Sequence, residues 1–224
     1  MATKEFERGN VFDEIAESWY RLRHWSRFKP ELEEMSARWH SGRLLNIGCA
    51  HGPDFLPFKD NFELYGVDNS VEMLRMAIKY SSKFNFHAGL VVADAVDLPF
   101  RDGCFDHIIA VASYHHIQGK NNRVRAFREM RRVLKPGAEF FLTVWNRQQY
   151  RFWFKGKEVI VPWKTNARKY DRYHYLYTYN EIEKLLKASG LNVIKSYAEF
   201  GYSSPIKHFS RNICVLGNAG YSVP

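Results

Sequence analysis

The segment Gly48-Cys49-Ala50-His51-Gly52 follows the apolar run 44–47, and its two glycines free the backbone to approach a ligand. Twenty residues beyond Gly48, Asp68 ends a second apolar run, Leu64-Tyr65-Gly66-Val67, and sets a carboxylate where a ribose diol can donate hydrogen bonds to it. The third glycine of G-x-G-x-x-G is missing, so this turn need not cradle a pyrophosphate; an adenosine site is favoured over a nicotinamide dinucleotide. A third run closes on Val92-Ala93-Asp94-Ala95, with Leu98-Pro99-Phe100 next, and Phe105-Asp106 opens a fourth. Two polar clusters lie further on: Ala112-Ser113-Tyr114-His115-His116 and Arg172-Tyr173-His174-Tyr175-Leu176-Tyr177. Guanidinium, imidazole and phenol groups are the donors that offset the cost of an anion leaving water.

The elements that must hold these residues follow a β-α-β rhythm. Short apolar runs at 44–47, 64–67, 90–92, 107–111 and 139–144 alternate with amphipathic stretches. Ser70 caps one helix with Met73, Leu74, Ala77 and Ile78 on its inner face, and Asn121 opens another with Val124, Phe127, Met130 and Val133 inward. Lys135-Pro136-Gly137 stops that second helix, whose Arg125, Arg128, Arg131 and Arg132 lie outward. Two helices precede the first strand, one over 11–20 with Val11, Phe12, Ile15, Ala16 and Trp19 on one face and one after Pro30. After Trp145 the pattern lapses for some 30 residues, which marks a functional insertion. Asn180 then caps a helix carrying Ile182, Leu185, Leu186 and Ala188, Gly190 ends it, and strands at 192–199 and 212–216 close the sheet. One domain over 1–224 is expected, with a helical cover at 1–42 and a basic, aromatic insertion at 146–178.

The 224 residues are 46% apolar and 25% charged, enough for a core that needs no disulfide or metal staple. Cys49, Cys104 and Cys214 match neither a disulfide framework nor a zinc spacing, so they read as reduced thiols and no metal is expected. No apolar run approaches membrane length and the first ten residues are unlike a signal peptide, so a cytoplasmic protein without membrane contact is expected. The net charge of +9 is concentrated: 120–172 carries fifteen Lys or Arg against four acids, an excess of eleven. Tyr150, Phe152, Trp153, Phe154, Trp163 and Tyr170 interleave with that block, as suits a polyanion with unpaired bases; a merely solvated face is the plainer alternative.

From Val11 to Val144 these motifs, in order and spacing, resemble the class I S-adenosylmethionine-dependent methyltransferases. The resemblance implies a Rossmann-like seven-stranded α/β sandwich, mostly parallel with an antiparallel C-terminal strand, and S-adenosyl-L-methionine as cofactor. It places Gly48, Cys49, Ala50 and Gly52 beneath the methionine moiety and Asp68 on the ribose. Asn69 and Met73 flank the adenine, Asp94 and Ala95 meet its edge, and Ala112 lies beside the sulfonium. Asn46 stands where that family usually carries an acid, and Ala50 where glycine is usual.

A narrower resemblance is to the tRNA wobble-uridine carboxymethyl methyltransferases. It rests on Phe12-x-x-Ile15-Ala16-x-x-x-Tyr20-x-x-Arg23 with Lys29-Pro30, on the His115-His116 pair, on Trp145, and on Val159-Ile160-Val161-Pro162-Trp163 followed by 172–177. It implies a carboxymethyl nucleophile on an anticodon-loop uridine, ionised at pH 7 and in need of orientation rather than a base. Arg23, Arg172, Tyr173, His174 and Tyr177 are the candidate donors, His116 the candidate for orienting the uracil, and Trp145, Trp153 and Trp163 the candidate stacking platforms. Tyr20 and Arg23 belong to the cofactor cover. The resemblance also implies a small zinc-binding activator docked on the third-strand edge, which reads apolar through Phe84, Phe86, Leu90, Val91 and Val92. A small-molecule methyltransferase and a non-catalytic tRNA-binding module are the competing expectations.

Overall fold

Alternation along the strands explains the layering, because consecutive residues point to opposite faces of a sheet. Leu44, Ile109 and Phe141 pack on one face with Leu32 and Met35, whereas Leu45, Ile108 and Phe140 pack on the other with Phe127, Met130, Ile182 and Leu186. Both faces are covered, as a parallel sheet requires. The computed structural model describes residues 10–165 and 168–220; the rest of the expected cover (1–9) and insertion (166–167) lies outside the described residues.

Helices α1 (Val11–Leu22) and α2 (Lys29–Trp39) precede β1 (Gly42–Ile47) and β2 (Phe62–Asp68). Then come α3 (Val71–Phe84), β3 (Ala88–Val92), β4 (Phe105–Val111), α4 (Lys120–Val133) and β5 (Leu134–Trp145). A hairpin of β6 (Glu158–Lys164) and β7 (Lys169–Tyr175) leads to α5 (Tyr179–Ala188), β8 (Leu191–Ala198) and β9 (Asn212–Ala219). The seven-stranded sheet has the order β3-β2-β1-β4-β5-β9-β8, in which β9 pairs antiparallel with both neighbours and the other pairings are parallel. This bears out the expected fold class. Strand order reverses beside β1, so the loops after β1 and β4 diverge and open a crevice at the strands' C-terminal ends.

Several local expectations are corrected. The insertion is not irregular: β6 and β7 form a second sheet, with Val161 opposite Arg172 and Trp163 opposite Tyr170. Ile78 is exposed, because the buried stripe of α3 runs through Met73, Leu74, Ala77 and Tyr80. Phe84 ends α3 and is not part of the β3 edge. The cap of α5 is Thr178, whose hydroxyl accepts from the Glu181 amide at 3.3 Å, so Asn180 is already inside the helix. Among the described residues, no helix is long and apolar enough to cross a membrane.

Two side chains dock α1 over the loop after β2. Asp13 accepts from Ser70 Oγ at 2.6 Å and from the Glu72 amide at 3.1 Å, while Asn10 Nδ2 donates to the Asn69 carbonyl at 2.9 Å. Trp163 Nε1 donates to Ser18 Oγ at 2.8 Å and so hooks the hairpin onto the same helix. Cover and hairpin therefore meet above the crevice.

Candidate functional site

The crevice encloses about 710 Å³, within the range of small-molecule sites. Its floor is the turn after β1. Gly48 has φ +73°, and a Cβ built there would lie 2.4 Å from the Cβ of Ser113, so only glycine fits. Ser113 is fixed by donating its hydroxyl to the Ile47 carbonyl at 2.8 Å. Ala50 takes a left-handed φ of 46° that usually belongs to glycine, and in that conformation its amide donates to Asp68 Oδ2 at 2.9 Å. The Ser70 amide donates to Oδ1 at 3.0 Å. Burial pushes the Asp68 carboxyl up to about 6, partly countered by these two amides. Asp68 is thereby fixed at the end of β2, with Asn69 and the buried Met73 beside it and Asp94 and Ala95 following the neighbouring β3, all lining the crevice.

The opposite wall joins the turn after β4 to β7. Arg172 and His174 point inward, and the intervening Tyr173 outward, by the period of two along a strand. His116 Nδ1 lies 2.9 Å from the Tyr173 carbonyl and His174 Nδ1 lies 3.1 Å from the Arg172 carbonyl, so each ring carries its proton there and leaves Nε2 as an acceptor. Burial holds these imidazoles neutral: His116 falls to about 4, His174 to about 2, and His115 well below the ordinary range. His174 Nε2 and His115 Nδ1 are buried with no hydrogen-bond partner among the described residues. The three rings present nitrogens within 4.8 Å of one another, a donor set a metal can use. The charges around them are positive, however, and favour an anion.

That charge comes from Arg23, Arg151 and Arg172, which line the crevice and have no ion-pair partner among the described residues. Arg172 is buried, its Nε has no partner among the described residues, and burial first, then Arg23 and Arg151, lower it to about 10. Its guanidinium carbon lies 5.1 Å from the Trp163 ring centroid and 5.4 Å from that of Trp19, and Arg23 flanks the same rings at 5.9 and 5.7 Å.

Of the expected cofactor residues, Arg23, Gly48, Cys49, Ala50, Asp68, Asn69, Met73, Asp94, Ala95 and Ala112 line the crevice. Tyr20, Asn46 and Gly52 do not line it. Tyr20 packs edge-on against His51 and Tyr80, and Asn46 is buried in β1 with both amide atoms unpartnered among the described residues. Of the expected substrate residues, Arg23, His116, Trp145, Arg172 and His174 line it. Tyr173 and Tyr177 do not. The Tyr173 hydroxyl faces Arg123 at 3.5 Å, and Tyr177 is buried in the core under α4 and α5. Sequence reasoning missed Asp54, buried at the crevice and raised to about 6 by burial, gave Trp19 only a packing role on the first helix, and did not single out Arg27 or Arg151. It placed Arg132 outward on α4, where the structure holds it by Glu129, Asp102 and the Leu98 and Phe100 carbonyls.

A family model described as a methyltransferase domain matches residues 45–142. The Encephalitozoon cuniculi protein named "Putative methyltransferase" is 31% identical over 182 residues, covering 78% of this chain and 80% of that protein. The chain belongs to the methyltransferases. The Bos taurus "Probable tRNA methyltransferase 9B" is 32% identical over 62% of this chain and 28% of its own length. The Arabidopsis thaliana tRNA (carboxymethyluridine(34)-5-O)-methyltransferase is 28% identical over 75% of this chain and 39% of its own. The chain thus spans about a third of the length of these two curated relatives. Among solved structures, the CcbJ methyltransferase of Streptomyces caelestis superposes with a TM-score of 0.75 at 16% identity, over 94% of this chain and 98% of that one. A complex between the Haloferax volcanii Trm112 methyltransferase activator and a methyltransferase gives 0.69 at 18% identity, over 96% and 98%. At these identities the likeness is one of fold.

The residues of this methyltransferase suit its cofactor. Asp68 offers an acceptor already oriented by two amides, the Gly48 turn presents bare backbone where no side chain fits beside Ser113, and buried Met73 supplies an apolar wall.

Proposed function

We propose that the protein methylates a carboxymethyl oxygen on the wobble uridine of tRNA. The observation that carries this reading is the buried, unpaired Arg172 beside Arg23 and Arg151, facing the Gly48–Asp68 floor across one crevice. S-adenosylmethionine, when bound, supplies a methyl group already activated by a positive sulfur. The side chains need not assist a leaving group. Asp68 and the Gly48 turn hold the nucleoside end, and Arg172 with Arg23 draws the substrate carboxylate out of water and sets its direction. A carboxylate is ionised at neutral pH, so no general base is required. The neutral acceptors of His115, His116 and His174 suit a uracil edge, which offers an N–H, and Trp145 stacks behind them. Relatives named for carboxymethyluridine chemistry in tRNA support the substrate class.

A small activator protein is proposed to pair along β3, an edge strand whose Val92 is exposed. The structure solved for the Haloferax volcanii activator complex supports this reading. The test is incubation of the protein, alone and with candidate activators, with labelled cofactor and tRNA bearing 5-carboxymethyluridine, followed by nucleoside mass spectrometry. The methyl ester at the wobble position is expected. Label on any other base, or only on free metabolites, overturns the proposal.

A further inference from the structure

Three large aromatic side chains on the connection after β5 stand in water: Phe154 is 99% exposed, Tyr150 74% and Trp153 54%. They are not on a loose tip. Asn146 is buried and donates through Nδ2 to the carbonyls of His208 at 2.7 Å and Ser210 at 2.9 Å. Gln149 Nε2 donates to the carbonyls of Asn146 at 2.8 Å and Arg211 at 3.2 Å. Trp153 Nε1 donates to the Gln148 carbonyl at 2.8 Å, and its ring lies 6.0 Å from that of Phe209. Two segments distant in sequence are thus tied together beneath rings that face outward. Phe152 takes the inward position and stacks on Trp145 at 5.9 Å, so the outward rings adjoin the crevice wall.

Rings held apart and exposed lose nothing to each other and offer flat faces. The chain alternates them with cations, Tyr150-Arg151-Phe152-Trp153-Phe154-Lys155, and neither Arg151 nor Lys155 has an ion-pair partner among the described residues. Protein-binding patches share exposed aromatics and arginine with this one but are depleted in lysine, whereas Lys155 directly follows Phe154 here. Aromatic faces beside unpaired cations suit single-stranded nucleic acid, in which each base stacks and each phosphate pairs. Arg151 belongs to both this surface and the crevice, so a strand on the rings runs directly to the reacting site.

We infer that Tyr150, Trp153 and Phe154, braced by Phe209, form a stacking platform for the unpaired nucleotides that flank the base entering the crevice. The inference rests on the RNA reading above but names a surface separate from the crevice. It is tested by titrating a 5-carboxymethyluridine anticodon stem-loop, at fixed salt, into wild type, Tyr150→Ala, Trp153→Ala, Phe154→Ala, the triple variant and Trp153→Phe. Cofactor affinity by calorimetry and far-UV circular dichroism check that each variant is folded. Each ring removed is expected to lower stem-loop affinity about fivefold or more, with Trp153→Phe near wild type and cofactor affinity unchanged. A triple variant that binds the stem-loop as wild type does overturns the platform. So does equal loss for a fully paired duplex, which has no base free to stack. If wild type binds single strands in this ring-dependent way yet transfers no methyl group to the wobble uridine, the platform stands and the proposed reaction falls.

Discussion

The His174 ring stacks on Trp145 with centroids 4.3 Å apart and planes 25° from parallel. Trp145 is the last residue of β5 and His174 belongs to β7, so this one contact joins the central sheet to the hairpin that carries Arg172.

Removing that contact tests whether the hairpin is a working wall. Trp145 also meets His115 at 5.4 Å and Phe152 at 5.9 Å, so Trp145→Ala forfeits about 1–3 kcal/mol of ring contacts on the substrate side alone. Methyl transfer to tRNA is expected to fall about ten- to a hundredfold, with cofactor affinity within threefold of wild type and Trp145→Phe restoring most of the rate. Steady-state kinetics beside calorimetry distinguish this from a general loss of fold.

Gly48 is a position where geometry forbids a side chain. Gly48→Ala sets a Cβ 2.4 Å from Ser113 Cβ at φ +73°, and about 1–3 kcal/mol of stability should be lost, with cofactor binding weakened tenfold or more. Because the clash is with the Ser113 side chain, Ser113→Gly added to Gly48→Ala should recover part of both losses. Urea unfolding and calorimetry on the pair of variants check it; no recovery would place the conflict in the backbone instead.

How much of this was legible beforehand depends on what each residue's signal was. The five parallel strands were legible as apolar runs, since buried parallel strands are apolar throughout, and the resemblance carried by Gly48, Asp68 and Asp94 implied the seven-stranded sheet. The hairpin was not legible as strand, because β6 buries only Val161 and Trp163 and the buried residues of β7 include the polar Arg172 and His174. The family pattern nominated residues 172–177 but not their register; Tyr173 and Tyr177 were therefore expected in a crevice they do not line. Asp54 had no signal at all, since a lone acid in a turn is ordinary until folding buries it.

Cofactor affinity should depend on pH through Asp68. Its carboxyl, raised to about 6 by burial, offers both oxygens as acceptors to a ribose diol only when ionised. Affinity is expected to be flat above pH 7 and to fall about tenfold per unit below 6, and Asp68→Asn should abolish that dependence while binding weakly at every pH. Calorimetric titration from pH 5 to 8 decides it; an unchanged slope in Asp68→Asn would assign the proton to another group such as Asp54.

The neutral histidines make their own prediction about acid stability. In the unfolded chain an imidazole titrates near 6.5, whereas burial lowers His174 to about 2 and His116 to about 4 in the folded protein. A lowered folded value means that the unfolded state binds the extra proton. Stability is therefore fully present above pH 6.5 and is lost as pH falls, down to about 4 for His116 and about 2 for His174. Asp54 and Asp68, raised to about 6, act in the opposite direction below that pH because the folded state binds their protons first. Single-site variants separate the two. His174→Gln removes one proton uptake, so the stability lost between pH 7 and 5 should be about 2 kcal/mol smaller than in wild type. Urea unfolding at the two pH values measures that difference directly. If the loss is the same in both proteins, His174 protonates normally in the folded state, and its ring cannot serve as the neutral acceptor that the crevice wall requires.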